Sequence, residues 1–226
     1  MPPSVPDTRA PGARHDCTLP QWAVDKMIRR RGGRTHAFED LDPRRTALVA
    51  VDLLASFVDG TPCGASTVAP VNRLAAALRD AGGTVAWVTP APLPERSPSL
   101  IALWGEDWYR EAARGADAPL ADGLDVADGD LHVEKRAYSA FFPGRCDLPD
   151  ILRARGVDTV LIAGMLTNIC CESSARDAAT LGFRVVMVSD ANAARSDEEH
   201  RAALYNVMRN FGDVRTSGDL VAAFAG

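Results

Sequence analysis

The sequence predicts a three-layer α/β/α sandwich with a mostly parallel six-stranded sheet, and three observations carry that prediction. Apolar runs of strand length alternate with segments of helical period, which implies parallel strands whose crossover helices cover both faces. The stretch from Val157 to Ala179 passes from a β-branched run (Val160, Leu161, Ile162) through Ala163-Gly164 into a helical pattern, the strand–turn–helix unit of such sheets. Across 226 residues there is no repeat and no convincing domain linker, so one large domain with right-handed crossovers accounts for the pattern.

Taken in order, residues 1–20 are rich in Pro, Arg and Gly and are expected to lack regular structure. Gln21 to Arg31 has the spacing of a short helix, with Trp22, Val24, Met27 and Ile28 on an imperfect apolar face. Arg29-Arg30-Arg31 suits the negative end of that helix; contact with a polyanion is the sharper alternative. Residues 1–43 thus form an expected N-terminal arm ahead of a domain spanning 44–226. The first strand is Thr46–Asp52, followed by a helix over Val68–Ala81 that Gly82-Gly83 closes. A strand over Thr84–Thr89 leads into a Pro-rich connection and a helical excursion over Leu100–Ala113 carrying Trp104 and Trp108. Loop-like residues 114–129 precede a short strand, Asp130–Glu134, and an aromatic loop from Arg136 to Gly144. A helix near Asp147–Arg155 leads to the strand 158–163 and a helix over about 168–181. The remainder reads as a strand over Arg184–Ser189, a helix over Asp197–Phe211, a short strand near Asp213–Thr216 and a last helix near Leu220–Phe224.

Composition narrows the function. An apolar content of 46% and a charged content of 24% are ordinary for a soluble globular protein. A net charge of −5 argues against a general nucleic-acid or anionic-membrane surface. No apolar run approaches the roughly 18 residues of a membrane span, and the N-terminus lacks the apolar core of a secretory signal. A cytoplasmic location is the expectation. Five cysteines, at 17, 63, 146, 170 and 171, are odd in number, widely scattered and without a CxxC pair. Reduced thiols are expected, with neither a disulfide framework nor a structural zinc site.

The reactive side chains gather at one sheet edge. In a doubly wound sheet the ligand crevice lies beyond the carboxyl ends of the strands. Asp52, Lys135 and Cys170 each end or closely follow a strand from a different unit. They supply a base, a cation and a nucleophile. A cysteine at a helix N-terminus is expected to favour thiolate. A carboxylate within reach can take the thiol proton, and an ammonium keeps both anions ionised. That set suits attack on an amide or ester carbonyl through a thioester. Cys171 points elsewhere on the helix and reads as core. A Cys-His-Asp arrangement has little to draw on: His15 and His36 lie in the arm, His200 on a late helix, and His132 faces away from Lys135 by strand alternation. The C-x5-R spacing of Cys170 and Arg176 lacks the glycine a phosphate-wrapping loop needs, and Glu172 adds an anion.

At this point a resemblance emerges. Thr46-Ala-Leu-Val-Ala-Val-Asp52, Lys135, and Gly164-Met-Leu-Thr-Asn-Ile-Cys170 followed by Glu172-Ser-Ser-Ala-Arg-Asp-Ala178 resemble the isochorismatase-like cysteine hydrolases over about residues 44–225. The superfamily includes nicotinamidases, N-carbamoylsarcosine amidohydrolases and ureidoacrylate amidohydrolases. The resemblance implies Asp52 as proton acceptor, Lys135 as the charge that orients the site, and Cys170 as nucleophile. It also implies a cis peptide at Met165-Leu166 and an oxyanion hole from the Leu166 and Cys170 amides. Leu54 stands where family members carry Gln. Thr89-Pro-Ala-Pro-Leu-Pro-Glu-Arg96 has no histidine where nicotinamidases hold a metal, so neither metal nor cofactor is expected. The Tyr138–Phe142 run and Asn168 look closest to the ureidoacrylate and N-carbamoyl branch, whose substrates are small amides. Phe57, Trp104, Trp108, Tyr138 and Phe141 are candidate pocket walls, with ordinary core or interface packing as the alternative for each. Arg195 is a candidate for binding a substrate carboxylate. The family implies a homodimer or homotetramer. A non-catalytic ligand-binding or assembly member of the same fold is the rival to the enzyme.

Overall fold

The computed structural model describes residues 13–92, 96–113 and 119–225, apart from the side chains of Trp108 and residues 111–113. Residues 1–12 of the expected tail, and parts of the Pro-rich connection and of the 114–129 loop, lie outside the described residues. Six strands form one sheet in the order β3-β2-β1-β4-β5-β6: β1 (Thr46–Val51), β2 (Thr84–Pro90), β3 (Leu131–Lys135), β4 (Thr159–Met165), β5 (Arg184–Ala193) and β6 (Asp213–Arg215). Every pairing is parallel. The central strands β1 and β4 are buried at every residue, which is why they read as continuous apolar runs rather than alternating ones.

Successive residues of these strands feed opposite layers. Val49, Val51, Val160 and Ile162 pack with Leu148 and Leu152 of α6 (Leu148–Ala154), Ala175 of α7 (Glu172–Thr180) and Leu204 of α8 (Asp197–Asn210). Leu48, Ala50, Leu161 and Ala163 pack on the other face with α3 (Val68–Asp80) and α9 (Ser217–Phe224). The helix α3 buries Val71, Leu74, Ala75 and Leu78, the spacing of one helical stripe. It ends at Gly82, whose φ of 82° suits a glycine, and the Gly83 N–H donates to the Leu78 carbonyl at 2.8 Å.

The N-terminal helix α1 (Gln21–Arg30) lies against α8 and β6, burying Ala23 and Met27 beside Met208. Arg31, one of the three consecutive arginines, pairs with Asp213 at 3.0 Å and donates to the Met208 carbonyl, so it ties this segment to the sheet edge. Two short helices had no clear sequence pattern of their own: α2 (Ala55–Gly60) and a 3-10 turn over Gly64–Thr67. The excursion is two helices, α4 (Pro98–Trp104) and α5 (Glu106–Ala113), divided at Gly105, whose φ is 89°. The last helix starts at Ser217 rather than near Leu220, because Thr216 and Asp219 form a capping box. The fifth strand runs to Ala193, past the expected end at Ser189, after a register shift opposite Ile162 and Gly164. Among the described residues no helix is long and apolar enough to cross a membrane.

Gly164 is the tightest point of the sheet. Its φ is 121°, and a Cβ there would overlap the Val51 carbonyl oxygen. Gly164→Ala should cost about 2–4 kcal/mol in urea unfolding, whereas Gly129→Ala, in open space at ordinary φ, should change stability by less than about 0.5 kcal/mol. Equal effects at both positions would contradict the close approach of β4 to β1.

Candidate active site

From β1 the chain crosses to β2 and β3 on one side of the sheet, and from β4 it crosses to β5 and β6 on the other. The crevice between β1 and β4 is therefore the switch point at which parallel sheets take ligands. Asp52 is the first residue beyond β1. It holds a left-handed conformation, with φ of 53°, and its N–H donates to the Val88 carbonyl of β2 at 2.8 Å. Such a conformation costs about 1–3 kcal/mol outside glycine, and Asp tolerates it better than most residues.

The structure brings Asp52, Lys135 and Cys170 together. Lys135, the last residue of β3, reaches past β2 and donates from Nζ to Asp52 Oδ2 at 2.9 Å. The same ammonium donates to the Ala137 carbonyl at 3.1 Å and to Cys170 Sγ at 3.6 Å. An ammonium has three N–H bonds, so each finds one acceptor. Both charged side chains are almost wholly buried, at 3% and 2% exposure. Asp52 Oδ1 is buried with no hydrogen-bond partner among the described residues, although Cys170 lies close enough for each group to shift the other.

Burial governs the electrostatics. It raises Asp52 above the usual carboxylate range against the pull of Lys135. Burial alone would lower Lys135, but the charges of Asp52 and Cys170 outweigh it and hold the ammonium protonated. Burial, then Asp52, pushes the Cys170 thiol well up, with Lys135 opposing only in part. The expectation of a thiolate favoured by the helix terminus is therefore corrected. Desolvation and the neighbouring anion push the thiol up against Lys135, which favours the thiol form at rest.

Cys170 itself is partly exposed, in a π-helical turn over Thr167–Cys171 that precedes α7. The Leu166 carbonyl accepts from the Ile169 and Cys171 N–H groups at 3.0 and 3.2 Å, and the Met165-Leu166 peptide is cis. Cys171 is fully buried in the core. Ser174, which sequence reasoning missed, donates to the Cys170 carbonyl at 2.7 Å and accepts from the Ala140 N–H at 2.9 Å. It joins the cysteine turn to the loop after β3. Its position four residues after Cys170 was the available signal, since a helical serine can bond back to that carbonyl.

The candidate wall residues divide. Tyr138 and Phe57 are exposed at 40% and 37%, and Tyr138 Oη accepts from Trp104 Nε1 at 3.2 Å, joining the excursion to the loop beyond Lys135. Phe141 is a correction: it is fully buried, 5.5 Å from Phe183 in an edge-on pair, because the loop turns inward there to close the core. The Trp108 side chain lies outside the described residues. Asn168 sits within the π-turn, and its Oδ1 is buried without a hydrogen-bond partner among the described residues. Arg195 follows β5 with an exposed side chain that makes no ion pair among the described residues; its backbone N–H donates to Glu199. Leu54 is buried and bridges to Leu120, so this position packs against the segment after α5. The histidines are engaged elsewhere or exposed: His36 with Asp213, His15 with Asp197, His200 with Thr167, and His132 on the surface of β3. Among the described residues no group of three or more His, Cys, Asp or Glu side chains is arranged to hold a metal ion.

Residues 46–219 match the isochorismatase domain family. The ureidoacrylate amidohydrolase RutB of Pseudomonas savastanoi pv. phaseolicola is 30% identical over 216 residues, covering 82% of this chain and 86% of that protein. The crystal structure of a cysteine hydrolase from Pseudomonas syringae pv. phaseolicola superposes with a TM-score of 0.73 at 28% identity, covering 82% of this chain and 94% of that one. An N-carbamoylsarcosine amidase from Thermoplasma acidophilum superposes with a TM-score of 0.64 at 32% identity, covering 76% and 96%. With a domain match over most of its length and relatives at this identity, the chain belongs to the isochorismatase family.

Proposed function

We propose that the protein is a cysteine-dependent amidohydrolase that cleaves a C–N bond of a small amide or N-carbamoyl compound through a thioester. The observation that carries this reading is the buried Asp52–Lys135 ion pair set against the Cys170 thiol at the switch point of the sheet. The named activities of the ureidoacrylate amidohydrolase and N-carbamoylsarcosine amidase relatives support it.

The chemistry follows from the atoms available. Asp52 Oδ1, the oxygen not bonded to Lys135, takes the thiol proton as sulfur attacks the carbonyl carbon. The carbonyl oxygen becomes an oxyanion held by the backbone N–H groups of Leu166 and Cys170. As the C–N bond breaks, Asp52 gives the proton to the departing nitrogen, which leaves as ammonia or an amine. Water then loses a proton to Asp52 and adds to the thioester; the acid departs and the sulfur recovers the proton. Lys135 stays protonated throughout and offsets whichever of Asp52 and Cys170 carries the negative charge. Asn168 Oδ1 offers an acceptor to a substrate N–H, which suits carbamoyl and ureido groups. The linked Tyr138 and Trp104 rings and the exposed Phe57 are the aromatic side chains we assign to contact the rest of the substrate.

Two experiments test this reading. In a screen of primary amides and N-carbamoyl compounds read by ammonia release, at least one should turn over, and Cys170→Ala should lower its kcat by several orders of magnitude. Turnover by that variant at a rate near wild type would sink the mechanism. Asp52→Asn should move two readouts in opposite directions. Loss of the base should lower kcat about a hundredfold or more, while loss of the anion beside the thiol lowers its pKa and raises the rate of Cys170 alkylation by iodoacetamide at fixed pH. In the wild-type protein that alkylation rate should still be climbing at pH 9.0, the ordinary thiol value. A plateau well below it would contradict the resting thiol.

A further inference from the structure

A second cluster of titratable side chains lies behind the site. The ring of His15, in the N-terminal segment, stacks on the ring of His200 in α8, with centroids 4.6 Å apart and planes 14° from parallel. His15 Nδ1 donates to Asp197 Oδ1 at 2.6 Å, and its Nε2 lies 3.1 Å from both the N–H and the carbonyl of Ala194. His200 is wholly buried and His15 nearly so, at 9% exposure. Beyond the stack, His200 Nδ1 meets Thr167 Oγ1 at 2.9 Å, and its Nε2 lies 3.5 Å from Cys17 Sγ, which itself donates to the Ser189 carbonyl. The Thr167 hydroxyl can give or take a proton, so it bonds Nδ1 in either imidazole tautomer. Burial lowers the His200 imidazole to about 4, which keeps it neutral.

Thr167 is fully buried between Leu166 and Cys170. We infer that His15, His200 and Thr167 are positioning residues: through the stacked imidazoles, the N-terminal segment holds the turn that carries the Leu166 and Cys170 amides. The kinetic consequence rests on the amidohydrolase reading; the structural consequence does not. Losing the Thr167 hydroxyl, or the His15 ring that packs His200 in place, weakens a buried hydrogen bond that solvent cannot replace. The turn then gains freedom at the point where an oxyanion requires fixed donors, and displacements of about 1 Å can cost a hundredfold in rate. None of the three side chains needs to touch the substrate for this effect.

His15→Ala and Thr167→Val test the inference without removing the core His200, and Thr167→Ser keeps the hydroxyl. Hydrogen–deuterium exchange read on peptides covering residues 165–171 should quicken about tenfold in the first two variants, with β2 unchanged and the serine variant near wild type. With a substrate from the amide screen, kcat should fall about tenfold or more while KM stays within about twofold, and Thr167→Ser should retain the wild-type kcat. Unchanged exchange in residues 165–171, exchange that quickens equally in β2, or an unchanged kcat in both disruptive variants would each overturn the inference. If the wild-type chain turns over no amide while the local exchange response is present, the functional reading has failed and the positioning of the turn stands.

Discussion

The buried ion pair between Asp52 and Lys135 is the constraint on which the rest of the site depends. Removing two charges from water costs several kcal/mol each, and their mutual attraction offsets that only when the geometry is close and the remaining donors are satisfied. Here the distance is 2.9 Å, and the other two ammonium N–H groups find the Ala137 carbonyl and Cys170 Sγ. Neither charge is tolerable in that position alone. Breaking such a pair costs about 3–5 kcal/mol, since it strands a charge in the interior. The same burial, with the Asp52 carboxylate beside it, pushes the Cys170 thiol up.

The sheet order makes that pair possible. Asp52 and the cysteine turn follow adjacent central strands, and the chain leaves those strands toward opposite edges of the sheet. Close approach there depends on Gly164, where any side chain would meet the Val51 carbonyl. The left-handed conformation of Asp52 ends β1 abruptly beside that contact. Lys135 arrives from two strands away, which calls for a long, flexible side chain with a compact charge and suits lysine better than arginine. The arrangement thus depends on backbone geometry at two residues and side-chain length at a third.

Much of this was legible in the sequence, for identifiable reasons. Continuous apolar runs marked β1 and β4, and the acid or reactive residue ending each run marked the site edge. The spacing of Val71, Leu74, Ala75 and Leu78 marked α3. What stayed hidden depends on contacts between residues distant in the chain. Phe141 read as a pocket aromatic, yet the path of the loop, which no local pattern encodes, sends it into the core against Phe183. The thiol looked activated by its helix, because desolvation and the anion beside it exist only once three strands meet. His15 and His200 each looked idle, being separated by most of the chain. The extra residues of β5 and the early start of α9 came from a register shift and a capping pair, both features at element boundaries, where patterns are weakest.

In the proposed reaction Cys170 carries the acyl group. The most direct measurement is rapid acid quench of the protein during turnover of an amide found in the screen, followed by mass analysis of its peptides. A transient acyl mass should appear on the peptide containing Cys170, formed as the first ammonia or amine is released and lost as the acid forms. Product formation with that peptide unmodified throughout, or with the acyl mass on another residue, would contradict it.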